Sequence, residues 1–295
     1  GIASPRIVMN AVIRDRYKGP EMARVMSFVM AVFILVPVIA PSIGQVILIF
    51  FNWEAIFWMF LITALLVCIW FSIRLDETLL PESRQPLSFR KIRNGMIEVL
   101  KTRTALGYTL ATGFLFSPFV GYLSSSQQIF ADGYGKKDEF PLLFASLALT
   151  FGVASLVNAR LVYRYGLKRL CFLSVSVITG LSGIFLLGIL GMDKMPPLWL
   201  FMGYMMIIFP GIGFLFGNLN ALAMEPLGHI AGVGAAMIGS LSSLISIPLG
   251  ILIAGAFNGT VLPLITGFSL CGLAVLFSII WAEKNTQSKV VFENP

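Results

Sequence analysis

Residues Pro226–Ala282 read PLGHIAGVGAAMIGSLSSLISIPLGILIAGAFNGTVLPLITGFSLCGLAVLFSIIWA, a stretch without a single Lys, Arg, Asp or Glu. Its only titratable polar side chain is His229. About 20 mostly apolar residues suffice to cross the hydrocarbon core of a bilayer. The stretch therefore holds two crossings, separated near Asn258. Outward from it the same texture returns: Val25–Trp53, Ala55–Ile73, Thr104–Ala131, Phe140–Ala159 and Leu170–Met192 carry no charge. Backbone groups in lipid must be paired within their own segment, so these spans are expected to be helices. A membrane barrel would show short alternating segments instead. Composition agrees: 57% of residues are apolar and 12% charged, against roughly a quarter charged in a soluble domain.

The pattern predicts an all-α integral membrane protein with nine spans, at 1–13, 25–51, 53–73, 104–131, 140–163, 170–192, 196–222, 230–256 and 260–282. The first is too short to cross by itself, and the sequence opens on Gly rather than Met. Both features lead to the expectation of an N-terminally truncated fragment that starts inside a longer protein.

The formal net charge of +7 does not point to nucleic acid, because the basic residues occupy the gaps between spans. Alternate gaps hold seventeen and three of the 21 Lys and Arg, and Arg6 is the remaining one. The positive-inside rule makes the rich set cytoplasmic and places the C-terminus there too. Cys68, Cys171 and Cys271 all lie within apolar spans and read as packing residues.

The single long gap, Arg74–Arg103, contains Pro81 and Pro86. Ser88 is positioned to cap a helix with Phe89, Ile92, Met96, Val99 and Leu100 on one face. Arg90, Lys91, Arg93 and Lys101 are expected to face water or anionic headgroups. The expected organisation is residues 1–73 as three helices of an N-terminal bundle, 74–103 as a cytoplasmic linker, 104–282 as a six-helix bundle and 283–295 as a cytoplasmic tail.

Several local sequences carry a resemblance. Ala11-Val12-Ile13-Arg14-Asp15, followed by Glu21-Met22-Ala23-Arg24-Val25-Met26-Ser27, resembles the turn between helices four and five of bicyclomycin-resistance (Bcr/CflA) drug exporters of the major facilitator superfamily. Val36-Pro37-Val38-Ile39-Ala40-Pro41-Ser42-Ile43-Gly44 resembles their antiporter motif. Leu75-Asp76-Glu77-Thr78-Leu79 is similar to the end of helix six, and Met224–Gly232 to the entry of helix eleven. Ala159–Arg169 resembles the second copy of the cytoplasmic signature loop, with Ala159 in place of the usual Gly and Tyr163 in place of the usual Asp.

The resemblance covers essentially the whole chain, as helices four to twelve of twelve. It implies a twelve-helix fold of two six-helix halves, proton-coupled efflux of drugs or other small amphipathic molecules by alternating access, and residence in the bacterial inner membrane. It also implies that the proton-binding acids belong to helix one. The expected partners are a small-molecule substrate, protons and the lipid bilayer. No nucleic acid and no cofactor or metal is expected, and the protein is expected to be a monomer.

Arg6 is the sharpest candidate. It precedes Arg14 by about 12 Å along a helix, at a depth where an uncompensated charge costs a few kcal/mol or more. It is expected to line a central cavity and to lower the proton affinity of a carboxylate facing it; a structural ion pair is the alternative. Asn10, Gln45, Gln127, Asn218 and Asn220, with Gln128 and Asn158, are polar positions within spans. They are candidates for the substrate and proton pathway, or for helix–helix hydrogen bonds. Phe114, Phe116, Tyr122, Tyr204, Met205 and Phe209 are candidates for a tolerant apolar pocket. Pro37, Pro41 and Gly44 suggest a bent, closely packed gating helix. Arg14, Asp15, Arg164, Gly166, Lys168 and Arg169 form the signature loops, with basic side chains gripping helix ends. Gly232, Ala236, Gly239, Gly250 and Ala254 suggest tight helix packing.

An enzyme is not expected: the chain has one His, no His-Glu-x-x-His and no Gly-x-Ser-x-Gly. A metabolite exporter of the same fold and a non-transporting membrane fragment remain as alternative readings.

Overall fold

Proline and glycine punctuate the helices. Pro141 and Pro263 sit in the first turns of their helices, where no backbone donor is lost. Gly135, Gly166 and Gly259, with φ of +67°, +78° and +82°, make the turns between them. The computed structural model describes residues 39–75, 88–191 and 195–284, with isolated positions before residue 39. Arg6, Asn10, Arg14, Asp15 and Pro37 lie outside the described residues.

The chain divides into two units, residues 1–88 with 144–148, and residues 89–143 with 149–295. In the first unit, α1 (Ile39–Phe50) and α2 (Glu54–Arg74) are joined by a tight turn in which the Ala55 N–H donates to the Asn52 carbonyl at 3.0 Å. Helix α2 is apolar all round and buries none of its residues; Trp58 and Trp70 are 63% and 68% exposed. A helix of that kind is solvated by lipid or by other helices.

The second unit contains α3 (Phe89–Lys101), α4 (Arg103–Gln128, prolonged by a π turn at Ile129–Gly133), α5 (Phe140–Tyr165, apart from its residues 144–148), α6 (Leu167–Ile189), α7 (Leu198–Met224), α8 (Ala231–Gly255) and α9 (Leu262–Glu283). Among the described residues, six apolar helical stretches are long enough to cross a membrane. The longest, Leu198–Gly255, comprises α7 and α8 bent at a 3-10 turn, Glu225–Ile230, where Leu227 leaves helical geometry. The protein is thus an all-α integral membrane protein, and among the described residues helices lie where the apolar spans predict them; the span at 1–13 and the first half of that at 25–51 lie outside the described residues.

Helix α4 is the axis of this unit. Ala105, Thr109, Thr112, Leu115, Tyr122 and Ser126 are among its many buried residues. The buried hydroxyls bond backward along their own helices. Thr109 donates to the Ala105 carbonyl, Thr112 to Tyr108 and Ser117 to Gly113, so these hydroxyls are not left bare in an apolar interior. Contact with α8 is so close that it requires glycine. A Cβ on Gly250 would lie 2.6 Å from Val120 Cγ1, and one on Gly121 would lie 2.8 Å from Ile253 Cγ2. The packing stripe of α8 is Gly234, Ile238, Ser242, Ser246 and Gly250, at intervals of four. Of the small residues expected to allow tight packing, Gly250 does so against α4, while Gly232 and Gly239 meet no described atom within 4 Å of an added Cβ. Those two lie off the i, i+4 row and therefore on other faces of the helix.

Candidate functional site

The ring-bearing faces of α4, α5 and α7 converge near the middle of their lengths. On α7, Phe209, Gly213, Phe216 and Asn220 follow at i, i+4, i+7 and i+11, one face of a helix. Gly213 lets α5 approach, for a Cβ there would meet the Phe151 carbonyl at 2.7 Å. That approach brings Phe151 to within 6.2 Å of Phe216, ring centre to ring centre. From α4, Phe119 stacks on Phe151 at 6.0 Å and meets Phe209 at 5.8 Å. Phe116 sits edge-on to Phe216 at 5.2 Å, and Tyr122 edge-on to Phe209 at 5.1 Å. Phe116, Phe119, Phe151 and Phe216 are half-buried, so part of this aromatic surface remains open. Its polar edge is Asn220, also half-buried, whose amide donates back to the Phe216 carbonyl at 3.2 Å. Edge-to-face rings of this kind favour flat, polarisable partners.

The sequence candidates are thereby sorted. Phe116, Tyr122 and Phe209 belong to this face. Phe114 instead lines a small cavity together with Val175, Ile178 and Phe268. Met205 is fully buried, and Tyr204 stacks on Phe185 at 4.5 Å and shares a 2.7 Å hydrogen bond with Ser182. Asn218 is buried and makes a reciprocal amide pair with Asn158, at 2.8 and 2.9 Å, which ties α7 to α5. It is thus a helix–helix fastening. Gln127 is exposed near the far end of α4, and Gln45 is exposed on α1. Pro41 and Gly44 lie within α1, and no atom comes within 4 Å of a Cβ placed on Gly44. Phe119, Phe151 and Phe216 were not singled out from the sequence. The i, i+7 spacing of Phe151 with Asn158 and of Phe209 with Phe216 was the available signal.

A second cluster forms at one end of the unit, where the basic ends of the helices gather. Glu283, at the end of α9, accepts from Tyr108 at 2.7 Å and from Lys168, at the start of α6, at 2.9 Å. The Arg103 Nε donates to the Trp281 carbonyl at 2.7 Å, with the guanidinium over the Trp281 ring. Gly166 holds φ +78° and ψ 153° between α5 and α6, Arg164 lies over Tyr165, and Arg169 is exposed. Lys168 pairs with the side chain of Glu283, which was not singled out from the sequence. His229 meets Glu98 of α3 at 2.6 Å. At the opposite end, Tyr134 stacks on Phe201, and burial of its hydroxyl raises its pKa. Every carboxylate among the described residues lies at or beyond a helix end or on α3.

The chain matches the Major Facilitator Superfamily over residues 1–251. It belongs to that family. It is 27% identical over 296 residues to a bicyclomycin resistance protein homolog of Haemophilus influenzae, covering 97% of this chain and 72% of the relative. It is 29% identical over 243 residues to an uncharacterized MFS-type transporter, YdgK, of Bacillus subtilis, covering 81% and 60%. It is 24% identical over 234 residues to a multidrug resistance protein MdtL of a Shewanella strain, covering 79% and 58%. The chain therefore spans between 58% and 72% of the length of these three relatives. Membership of this superfamily places it among multi-pass membrane proteins.

Proposed function

We propose that the protein serves proton-coupled efflux of drugs or other small amphipathic molecules from bacteria, by alternating access across the inner membrane. The basic end of the second unit, and the C-terminus with it, faces the cytoplasm. The observation that carries this reading is the half-open aromatic surface of Phe116, Phe119, Phe151 and Phe216, edged by Asn220. Such a surface takes flat apolar molecules of varied shape and leaves the proton to be carried elsewhere. The names of the Haemophilus and Shewanella relatives, which refer to drug resistance, support the same substrate class.

Within this proposal Arg6 lines the cavity of the N-terminal half and depresses the proton affinity of a carboxylate opposite it. Pro37, Pro41 and Gly44 bend the gating helix, and Arg14 with Asp15 forms its cytoplasmic turn. The protein acts as a monomer.

The decisive experiment is efflux of a fluorescent amphipathic dye from cells that lack their own exporters and express this protein. Efflux is expected to collapse when a protonophore is added. Loss of one aromatic contact is worth about 0.5–1.5 kcal/mol, so Phe151→Ala and Phe216→Ala should each weaken apparent dye affinity by about threefold to tenfold. Dye export that both variants leave intact would remove the aromatic surface from the mechanism. Export that survives the protonophore would remove the proton.

A further inference from the structure

Helix α3 carries a wide apolar sector, and the bundle covers only one side of it. Gly95 and Val99 are buried, and a Cβ on Gly95 would come 2.9 Å from Val233 Cγ1 in the first turn of α8. Next to this seam, Phe89, Ile92, Met96 and Leu100 follow at i, i+3, i+7 and i+11, a single stripe on a helix surface. Among the described residues the stripe is uncovered: these side chains are 82%, 37%, 39% and 46% exposed.

Arg90, Arg93 and Lys101 border the same stripe. All three are exposed, and none makes a hydrogen bond or ion pair among the described residues. The one acid on the helix, Glu98, points elsewhere and is held by His229 at 2.6 Å. The cations are therefore not neutralised from within their own helix.

The position of α3 completes the argument. Thr102 takes an extended conformation, φ −80° and ψ 100°, and breaks α3 from α4, which starts at Arg103. The helix thus lies at the end of the bundle where α4 and α8 begin, beside the cluster of Arg103, Lys168 and Glu283. In a membrane protein that end coincides with the headgroup layer. A helix there, with an apolar stripe flanked by unpaired cations, has the construction of an interfacial helix.

We infer that α3 is a docking surface for anionic phospholipid. The stripe of Phe89, Ile92, Met96 and Leu100 seats in the acyl boundary, and Arg90, Arg93 and Lys101 take lipid phosphates. Charge complementarity selects lipid over a soluble protein: the cations adjoin an apolar stripe at the level where phosphate and acyl chain meet, whereas an acidic protein would leave the stripe wet. The inference rests on the chain's spanning a membrane and is independent of what the transporter carries.

The test uses the whole chain and two measurements. In the first, the protein is purified in detergent with an equal mixture of phosphatidylglycerol and phosphatidylcholine, and retained lipids are counted by native mass spectrometry. A surface cation is worth about fivefold in attraction to an anionic bilayer. The variant R90Q/R93Q/K101Q should therefore lose most of its preference for phosphatidylglycerol, while K136Q/K137Q, at the opposite end, should keep it. In the second, a photocrosslinking benzoylphenylalanine replaces Leu100 in an otherwise unchanged chain reconstituted in vesicles of both lipids. The expected adduct has the mass of one phospholipid. An unaltered phosphatidylglycerol share in the first variant, or a peptide adduct at position 100, overturns the inference.

Discussion

Asn158, half-buried, and Asn218, buried, exchange two hydrogen bonds. Removing one partner strands the other. Asn218→Ala should destabilise the protein by about 1–3 kcal/mol, read as a lower midpoint of thermal unfolding in detergent. Replacing both, as N158L/N218L, should recover much of that loss, because the unsatisfied amide disappears. If the single and double variants melted alike, the pair would not be a coupled unit. Tyr134 presents the reverse case. Its buried hydroxyl finds no partner among the described residues, so Tyr134→Phe should leave stability unchanged or raise it by up to about 1 kcal/mol. A fall in melting temperature would reveal a partner, such as a bound water. Gly166 is a residue-scale constraint of another kind. Its φ of +78° with ψ 153° lies in a region that side chains rarely adopt. Gly166→Ala should cost about 1–3 kcal/mol, and the Lys168–Glu283 contact two residues on should loosen with it.

At the scale of the element, α8 shows how a glycine's worth depends on its face. Gly250 lies where Val120 of α4 arrives, and Gly239 faces no neighbour among the described residues. Gly250→Leu overpacks the seam and should cost about 1–3 kcal/mol or more, whereas Gly239→Leu should be nearly neutral. Comparing the two melting curves in one detergent is the check, and equal losses would mean that α8 sits in another rotation. The same logic explains why the Gly, Ala and Ser content of α8 marks it as tightly packed without revealing its contact stripe. Small residues occur on several faces of α8, and only the neighbour selects the i, i+4 row from Gly234 to Gly250. In α3 the apolar sector is visible in the spacing of Phe89, Ile92, Met96, Val99 and Leu100. Its division into a buried seam at Gly95 and Val99 and an open stripe comes from where α8 begins.

At the scale of the whole molecule, membership of the Major Facilitator Superfamily and the all-α membrane fold rest on a match over residues 1–251 and on helices of crossing length. Under the proposed mechanism substrate and proton occupy different places and couple through the conformations that expose them. Arg6→Ala should accordingly impair proton-driven export while leaving dye affinity within about threefold of wild type, since it acts on the proton site through charge. The measurement is dye transport against an imposed pH gradient, and normal export by that variant would exclude Arg6 from coupling.

The sequence by itself determined the class of this protein. Apolar runs free of charge force helices through a bilayer, because unpaired backbone in hydrocarbon is too costly. The crowding of Lys and Arg into alternate gaps likewise determined which ends of the helices belong together, and Lys168 and Glu283 do meet at such an end. What only the tertiary structure decided was partnership. A helix that is apolar all round has no amphipathic signal to say which face meets which neighbour. Asn218 was therefore readable as a pathway residue until Asn158 was seen opposite it, and Phe119, Phe151 and Phe216 were indistinguishable from lipid-facing rings until Gly213 let α5 and α7 approach and brought them together.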